Sequence, residues 1–295
     1  VNNLLEENLF LPNNFLGIPR IYSDYKRSRF VILPVPYEQT TTYRTGTREG
    51  PQAIISASKQ VELFDEELGA ESYKVGICTL NELEPSSRGP EKMVEKIFEV
   101  GRELAKDKKI VVMLGGEHTI SIGMIKAYKQ RYKDLSVLQL DAHADLRDSF
   151  QGSRFSHACT MRRVREIAPT VQVGVRNISL EEHKYVKKEK LNLFFASGKN
   201  QGWLDEALSL LSDDVYLTLD LDFFDPSIMP SVGTPEPGGF LWYETINLLR
   251  KLSLKKNIVG LDIVELCPQP GNIAPDFMVA KLIYKIIGYI AKNKT

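Results

Sequence analysis

Uninterrupted apolar runs recur along this chain, separated by segments whose apolar residues follow a helical period. The runs are RFVILPV (29–35), KIVVML (109–114), LSVLQL (135–140), TVQVGV (170–175), VYLTL (215–219) and NIVGLDIV (257–264). They are mostly continuous rather than alternating, as expected of strands covered on both faces. Helical patterns fall between them. GPQAIISASKQV carries Pro51 in its first turn, where a missing N–H costs nothing. PEKMVEKIFEVGRELAK sets Met93, Ile97, Gly101 and Leu104 on one face. Ser179 with Glu182 has the form of a capping box opening SLEEHKYVKKEK. WLDEALSLL places Leu204, Ala207, Leu208 and Leu211 on one side, and DFMVAKLIYKIIGYIAK reads as a long terminal helix. This alternation predicts an α/β fold of three layers with a mostly parallel central sheet, organised as one domain over residues 1–295. The Pro/Gly-rich stretch DPSIMPSVGTPEPGG (225–239) is expected to be a long functional loop.

Composition narrows the partners. Lys+Arg and Asp+Glu both number 38, a formal net charge of zero, with neither a basic stripe for nucleic acid nor an acidic tail. Apolar runs such as IVVMLGG stop well short of the ~20 residues of a membrane helix. The N-terminal VNNLLEENLFLPNN lacks the basic and apolar regions of a signal peptide. Cys78, Cys159 and Cys267 are far apart and form no CxxC, which suits buried thiols in a reducing cytoplasm. Cys159 lies near His157, but a thiol nucleophile there would lack a third triad member.

Charge placement points to chemistry. Gly115-Gly116-Glu117-His118 follows IVVML, Asp141-Ala-His143-Ala-Asp145 follows LSVLQL, and Asp220-Leu-Asp222 follows VYLTL. Burying an ionised carboxylate costs several kcal/mol or more unless it is paired or metal-bound. Parallel strands end on one edge, where open α/β sheets bind ligands, so the three motifs can converge. Gly115 and Gly116 are expected to let the backbone turn sharply and present His118. The four aspartates carry −4, which two divalent cations would balance. Oxygen and imidazole ligands without thiolate suit Mn²⁺, with Zn, Fe or Co open on ligand type. Two such ions can share a bridging water and lower its pKa towards neutrality.

GGEH, DAHAD, the downstream SHA (Ser156–Ala158), LDLDFFDPSIMPSVGTPEPGG and DIVELCP together resemble the ureohydrolases, the family of arginases and agmatinases. The resemblance runs from GTREGPQAI (46–54) to Pro268, with the motifs in the family's order. It implies an arginase/deacetylase-type fold, two Mn²⁺ ions per chain, and a homo-oligomer, trimer or hexamer. One metal would take His118, Asp141, Asp145 and Asp220; the other would take His143, Asp141, Asp220 and Asp222. Glu265 matches the carboxylate that holds the substrate guanidinium, a planar cation suited to a carboxylate. Thr234, in the GTPEPGG segment, is assigned to the substrate by the same match. His157 matches the proton-shuttle histidine, and Asp145 can pass a proton between water and leaving amine. His183, in EEHKYVKK, is expected to face solvent.

The substrate implied is a small cationic guanidino compound. The Asn-Thr-Pro and Ser-Gly-Asn elements of arginases are absent from LRDSFQGSRFSHAC, and Ser179 stands near an arginase aspartate; both argue against L-arginine. Glu117 and SHAC look more like agmatinases, although His157-Ala158-Cys159 departs from their usual HGT. The expected reaction is therefore agmatine to putrescine and urea. N1-aminopropylagmatine is the near alternative, with guanidinobutyrate and formiminoglutamate behind it. A catalytically silent metal-binding component would have lost a ligand, Glu265 or His157, and none is lost. A two-metal phosphoesterase lacks an obvious phosphate clamp.

Overall fold

The computed structural model of the chain describes residues 11–198 and 202–293, so the N-terminal stretch read for a signal peptide lies largely outside the described residues. Eight strands form one sheet: β1 (Phe30–Val35), β2 (Ile77–Thr79), β3 (Ile110–Gly115), β4 (Ser136–Leu140), β5 (Thr170–Val175), β6 (Asn192–Phe195), β7 (Asp214–Asp220) and β8 (Asn257–Val264). Their order is β2-β1-β3-β8-β7-β4-β5-β6, and every neighbouring pair is parallel.

The helices are α1 (Arg20–Ser23), α2 (Gly50–Ser58), α3 (Pro90–Lys106), α4 (Ser121–Arg131), α5 (Thr160–Arg165), α6 (Leu180–Glu189), α7 (Trp203–Ser209), α8 (Trp242–Lys255) and α9 (Ala274–Lys292). They cover both faces of the sheet, and the side-chain alternation of β1 shows how. Phe30 and Ile32 join a core with Ile54 of α2, Leu208 of α7, Leu249 of α8 and Ile283 of α9. Val31, Leu33 and Val35 join a second core with Ile97 of α3, Ile125 of α4, Val164 of α5 and Val186 of α6. Successive residues point to opposite faces, so a continuous apolar run feeds both cores at once. No helix among the described residues is long and apolar enough to cross a membrane.

The six predicted strands are present within a residue or so of their expected ends, and α6 opens with the Ser179–Glu182 capping box. The strands not foreseen, β2 and β6, are the two sheet edges. They are short, and β6 is only half-covered, so neither carries a long apolar run. The helices α1, α4, α5 and α8 also went unmarked by the sequence pattern.

The central strands β3, β8, β7 and β4 are consecutive neighbours. Their C-terminal ends release His118, Glu265, Asp220 and Asp141 respectively onto one edge. This is how motifs more than a hundred residues apart meet. Gly116 plays a different part from the sharp turn expected of it. It is not in a left-handed conformation; a Cβ there would sit 2.0 Å from the Tyr37 carbonyl oxygen. Glycine is needed because two backbones touch.

Candidate metal centre

Asp141 sits at the middle of the site, fully buried. Its Oδ1 accepts the His143 backbone N–H at 2.6 Å, and its Oδ2 accepts from Gln139 Nε2 at 2.6 Å. Gln139 is held in turn by Gln172 Nε2 at 2.5 Å, which also donates to the Ala144 carbonyl at 2.7 Å. Asp222 Oδ1 accepts from Ala142 N, and Asp220 Oδ1 from Asp222 N, both at 3.0 Å. One oxygen of each of these two aspartates is thereby fixed by backbone, and the other turns inward.

Two histidines meet those inward oxygens. His118 Nδ1 lies 3.1 Å from Asp141 Oδ2, 3.1 Å from Asp145 Oδ2 and 3.3 Å from Asp220 Oδ2. His143 Nδ1 lies 2.8 Å from Asp222 Oδ2 and 3.7 Å from Asp141 Oδ1. His118, Asp141 and Asp145 converge closely enough to share one ion, as do Asp141, His143 and Asp222. Asp141 is common to both groups, and Asp220 reaches the first through His118. All six predicted ligands are thus in one place.

The hydrogen bonding of His118 tests whether a cation fits. Thr218 Oγ1 donates to Asp262 Oδ1 at 2.6 Å, so towards His118 Nε2, 2.9 Å away, it acts as acceptor. That places one imidazole hydrogen on Nε2 and turns Nδ1 to the carboxylates, where a metal ion or a second proton must sit. Burial opposes the proton, but Asp141, Asp145 and Asp220 raise the imidazole well above its ordinary value. Nδ1 is buried without a hydrogen-bond partner and faces three carboxylate oxygens. Three anions around one ring nitrogen suit a metal ion, and an outer partner fixing the tautomer is the usual support of a ligating histidine. The residues therefore fit the divalent ions expected from the sequence.

Charge crowding is the dominant electrostatic feature. Burial raises the Asp220 carboxyl well above its ordinary value, with repulsion from Asp222 and Asp141 adding to it. Burial and Asp141 push Asp145 up to about 7. Burial opposes a charged His143, but Asp222 and Asp141 outweigh it and lift the imidazole to about 12. Cation binding relieves this repulsion.

Glu265 stands beside the cluster, 9% exposed, its Oε1 accepting the His118 backbone N–H at 2.7 Å. Burial raises its carboxyl well above the ordinary range. Glu265 and Asp145 both have left-handed backbone, φ 68° and 52°. Such conformations cost about 1–3 kcal/mol outside glycine and collect at functional sites. A cavity of about 230 Å³ opens over the cluster. Thr234, His157, Ser179 and Glu182 also line it, so Thr234 and His157 share one cavity with the cluster. Burial, then the nearby His143 and His118, lower His157 to about 4, which keeps the free imidazole neutral near pH 7.

Two other expectations are resolved. Cys159 is buried and its thiol is pushed up by burial to about 11, so it is no thiolate nucleophile. His183 is half-buried on α6 rather than facing solvent. The supporting residues Gln139, Thr218 and Asp262 went unread, although a signal existed. Gln139 and Thr218 each precede a ligand aspartate by two positions in an apolar strand, which puts them on its face. Asp262 is the register partner of Thr218. Thr40, which touches both Glu117 and His157, left no comparable mark in TTTYR.

Comparison with known proteins agrees with this geometry. The Arginase family model matches residues 28–288. An N(1)-aminopropylagmatine ureohydrolase of Synechocystis is 40% identical, covering 96% of this chain and 98% of the relative. An agmatinase of Pyrococcus horikoshii is 32% identical over 91% and 94%. The agmatine ureohydrolase structure of Thermoplasma volcanium superposes with a TM-score of 0.89 at 28% identity, covering 100% of this chain and 99% of that one. With its candidate metal-ligand cluster at the ends of three central parallel strands and Glu265 at the end of a fourth, the chain belongs to the arginase family and is a metal-dependent ureohydrolase.

Proposed function

We propose that this chain hydrolyses N1-aminopropylagmatine, releasing urea and a triamine, with two Mn²⁺ ions held by His118, Asp141, His143, Asp145, Asp220 and Asp222. The observation that carries the reading is a buried carboxylate, Glu265, set beside the metal-ligand cluster in one cavity. The relative of 40% identity bears that substrate in its name. Agmatine, cleaved to urea and putrescine, is the second reading, supported by the GGEH and SHA motifs and the 32% relative.

The bound ions would supply an activated water as nucleophile. The protein's residues do the rest. Glu265 pairs with the N–H edge of the guanidinium and holds its carbon over the cluster. Water's oxygen ends in urea, the bond from that carbon to the alkyl nitrogen breaks, and the departing amine gains both of water's protons. Asp145 accepts the first proton and delivers it to the leaving nitrogen. His157, neutral at the start, carries the second. Glu182 is the remaining carboxylate among the residues lining the cavity. It is buried and held by Ser179 Oγ at 2.7 Å, and supplies negative potential for the substrate's distal amines.

Urea release in Mn²⁺ separates the readings. Turnover should be fastest with N1-aminopropylagmatine, slower with agmatine, and at least about 10²-fold lower in kcat/KM with L-arginine, whose α-amino acid group lacks its arginase loop. A higher kcat/KM for agmatine moves the assignment to agmatinase; preference for L-arginine defeats both.

A further inference from the structure

Three contacts converge on the hydroxyl oxygen of Thr40, in the segment after β1. It donates to Glu117 Oε1 at 2.8 Å, accepts the His157 backbone N–H at 3.0 Å, and lies 3.2 Å from His157 Nδ1. Glu117 is fully buried. Its other oxygen accepts the backbone N–H groups of Gln39 and Thr40, both at 2.6 Å. As an ionised carboxylate it accepts on both oxygens; burial raises its carboxyl, and the hydrogen bonds from Thr40 and Gln39 oppose that rise.

A threonine hydroxyl has one hydrogen and two acceptor positions. Its hydrogen points to Glu117 and one acceptor position is filled by the His157 amide. What remains towards Nδ1 is a lone pair, and a hydrogen on Nδ1 completes the contact. Ser156 Oγ approaches the same nitrogen at 3.4 Å, a longer contact that can accept that hydrogen equally. A neutral imidazole protonated on Nδ1 keeps its lone pair on Nε2.

We propose that Glu117 and Thr40 are positioning residues that lock His157 in the Nδ1–H tautomer. Nε2 is then the atom that takes up a proton from the reacting water and hands it to the leaving amine. The kinetic consequence rests on the ureohydrolase reading of His157; the tautomer does not. The relay also has a defined reverse. If Glu117 donated to Thr40, the threonine hydrogen would turn to Nδ1 and the imidazole would carry its hydrogen on Nε2.

Histidine ¹⁵N spectra of the full chain loaded with diamagnetic Zn²⁺ read the tautomer directly. The chain has 4 histidines, and the His157 signals are those lost in His157→Asn. The wild type should show a protonated Nδ1 and a bare Nε2. Thr40→Ser should keep that spectrum, and Thr40→Val should lose it. Glu117→Gln should reverse it, because the amide NH₂ donates to Thr40 while its oxygen keeps the two backbone N–H groups. In Mn²⁺, Thr40→Val should cut kcat by about 10- to 100-fold with KM within about twofold, and Thr40→Ser should restore it. A wild-type Nε2–H tautomer, or Thr40→Val with unchanged spectrum and kcat, overturns the proposal. Undiminished turnover by metallated His157→Asn would instead remove the reading of His157 as proton carrier, which the spectrum does not depend on.

Discussion

Of two charge clusters among the described residues, one is balanced by its own chain and the other is not. Lys285 of α9 is buried and reaches Asp65 Oδ1 at 2.9 Å, Glu67 Oε2 at 3.0 Å and Glu66 Oε1 at 3.4 Å. Asp65 Oδ1 also accepts the backbone N–H groups of Glu67 and Leu68, both at 3.0 Å, and Tyr289 donates to Glu67 at 2.7 Å. Lys281 lies 3.8 Å from Glu66 and Arg250 3.8 Å from Glu67, so three cations of the same chain meet the three anions. At the sheet edge, Asp141, Asp145, Asp220, Asp222 and Glu265 are all buried. The basic side chains paired with them among the described residues are His118 and His143. The first cluster uses its charge to fix where α9 packs. The second is left anion-rich, which stability alone does not favour and which suits an external cation.

Breaking the second cluster should give the largest effect. Asp141→Ala removes the ligand common to both candidate ion groups, so elemental analysis should fall from two ions per chain to fewer than one. Urea release should drop by about 10⁴-fold or more, a small part of the acceleration enzymes reach. A variant still holding two ions and turning over would show that the groups do not share Asp141. Glu265→Gln asks a narrower question. Glutamine can still accept the His118 backbone N–H, but it removes the charge facing the guanidinium. We expect two ions retained and kcat/KM lowered by about 10³-fold; near wild-type turnover would rule out Glu265 as the guanidinium partner.

The two clusters were unequally legible in the sequence. DAHAD, GGEH and LDLDFFD stand out because carboxylates and histidines interrupt apolar strands. The parallel sheet that those strands imply brings the motifs together. The strained backbones at Asp145 and Glu265 left no trace, since φ is set by tertiary packing and neither residue type demands it. Thr40 was hidden for a related reason: its role depends on β1 lying beside β3, an adjacency that apolar runs do not encode. Lys285 was hidden within a segment that reads simply as a long terminal helix, where lysines are usually solvated. It is buried only because Asp65 and Glu67, some 220 residues away, come to meet it.

Lys285→Met tests the self-balanced cluster. It leaves Asp65 buried opposite an apolar side chain, and removing one partner of a buried pair costs about 3–5 kcal/mol. Denaturant unfolding should show that loss, while kcat and metal content stay at wild-type values. Adding Asp65→Asn should recover part of it, because asparagine still accepts the two backbone N–H groups without the charge. A Lys285→Met protein of unchanged stability would mean that the cluster is solvated enough to need no cation.

The smallest effect is expected from Glu67→Gln, and its pH dependence sets the two clusters apart. Burial pushes the Glu67 carboxyl up, but hydrogen bonds from Tyr289 and Lys285 outweigh it and hold it below its ordinary value. A carboxyl lowered on folding contributes stability that is complete above its unfolded pKa, ~4.3, and is lost as pH falls through the folded value. Glu67 keeps 30% of its side chain exposed, so solvent screening limits the contribution to about 0.5–1 kcal/mol. The difference between wild type and Glu67→Gln should therefore be full at neutral pH and close as the solution is acidified below that unfolded value. At the sheet edge the order of events is reversed. Asp145 is pushed up to about 7, so protons compete with metal for this ligand near neutrality. Bound metal and urea release should decline on acidification while the Glu67 contribution is still intact. Denaturation of both proteins and metal content, measured over the same pH series, check the sign. A stability difference that grows towards acid would place the Glu67 carboxyl on the wrong side of its unfolded pKa and undo the contrast between the clusters.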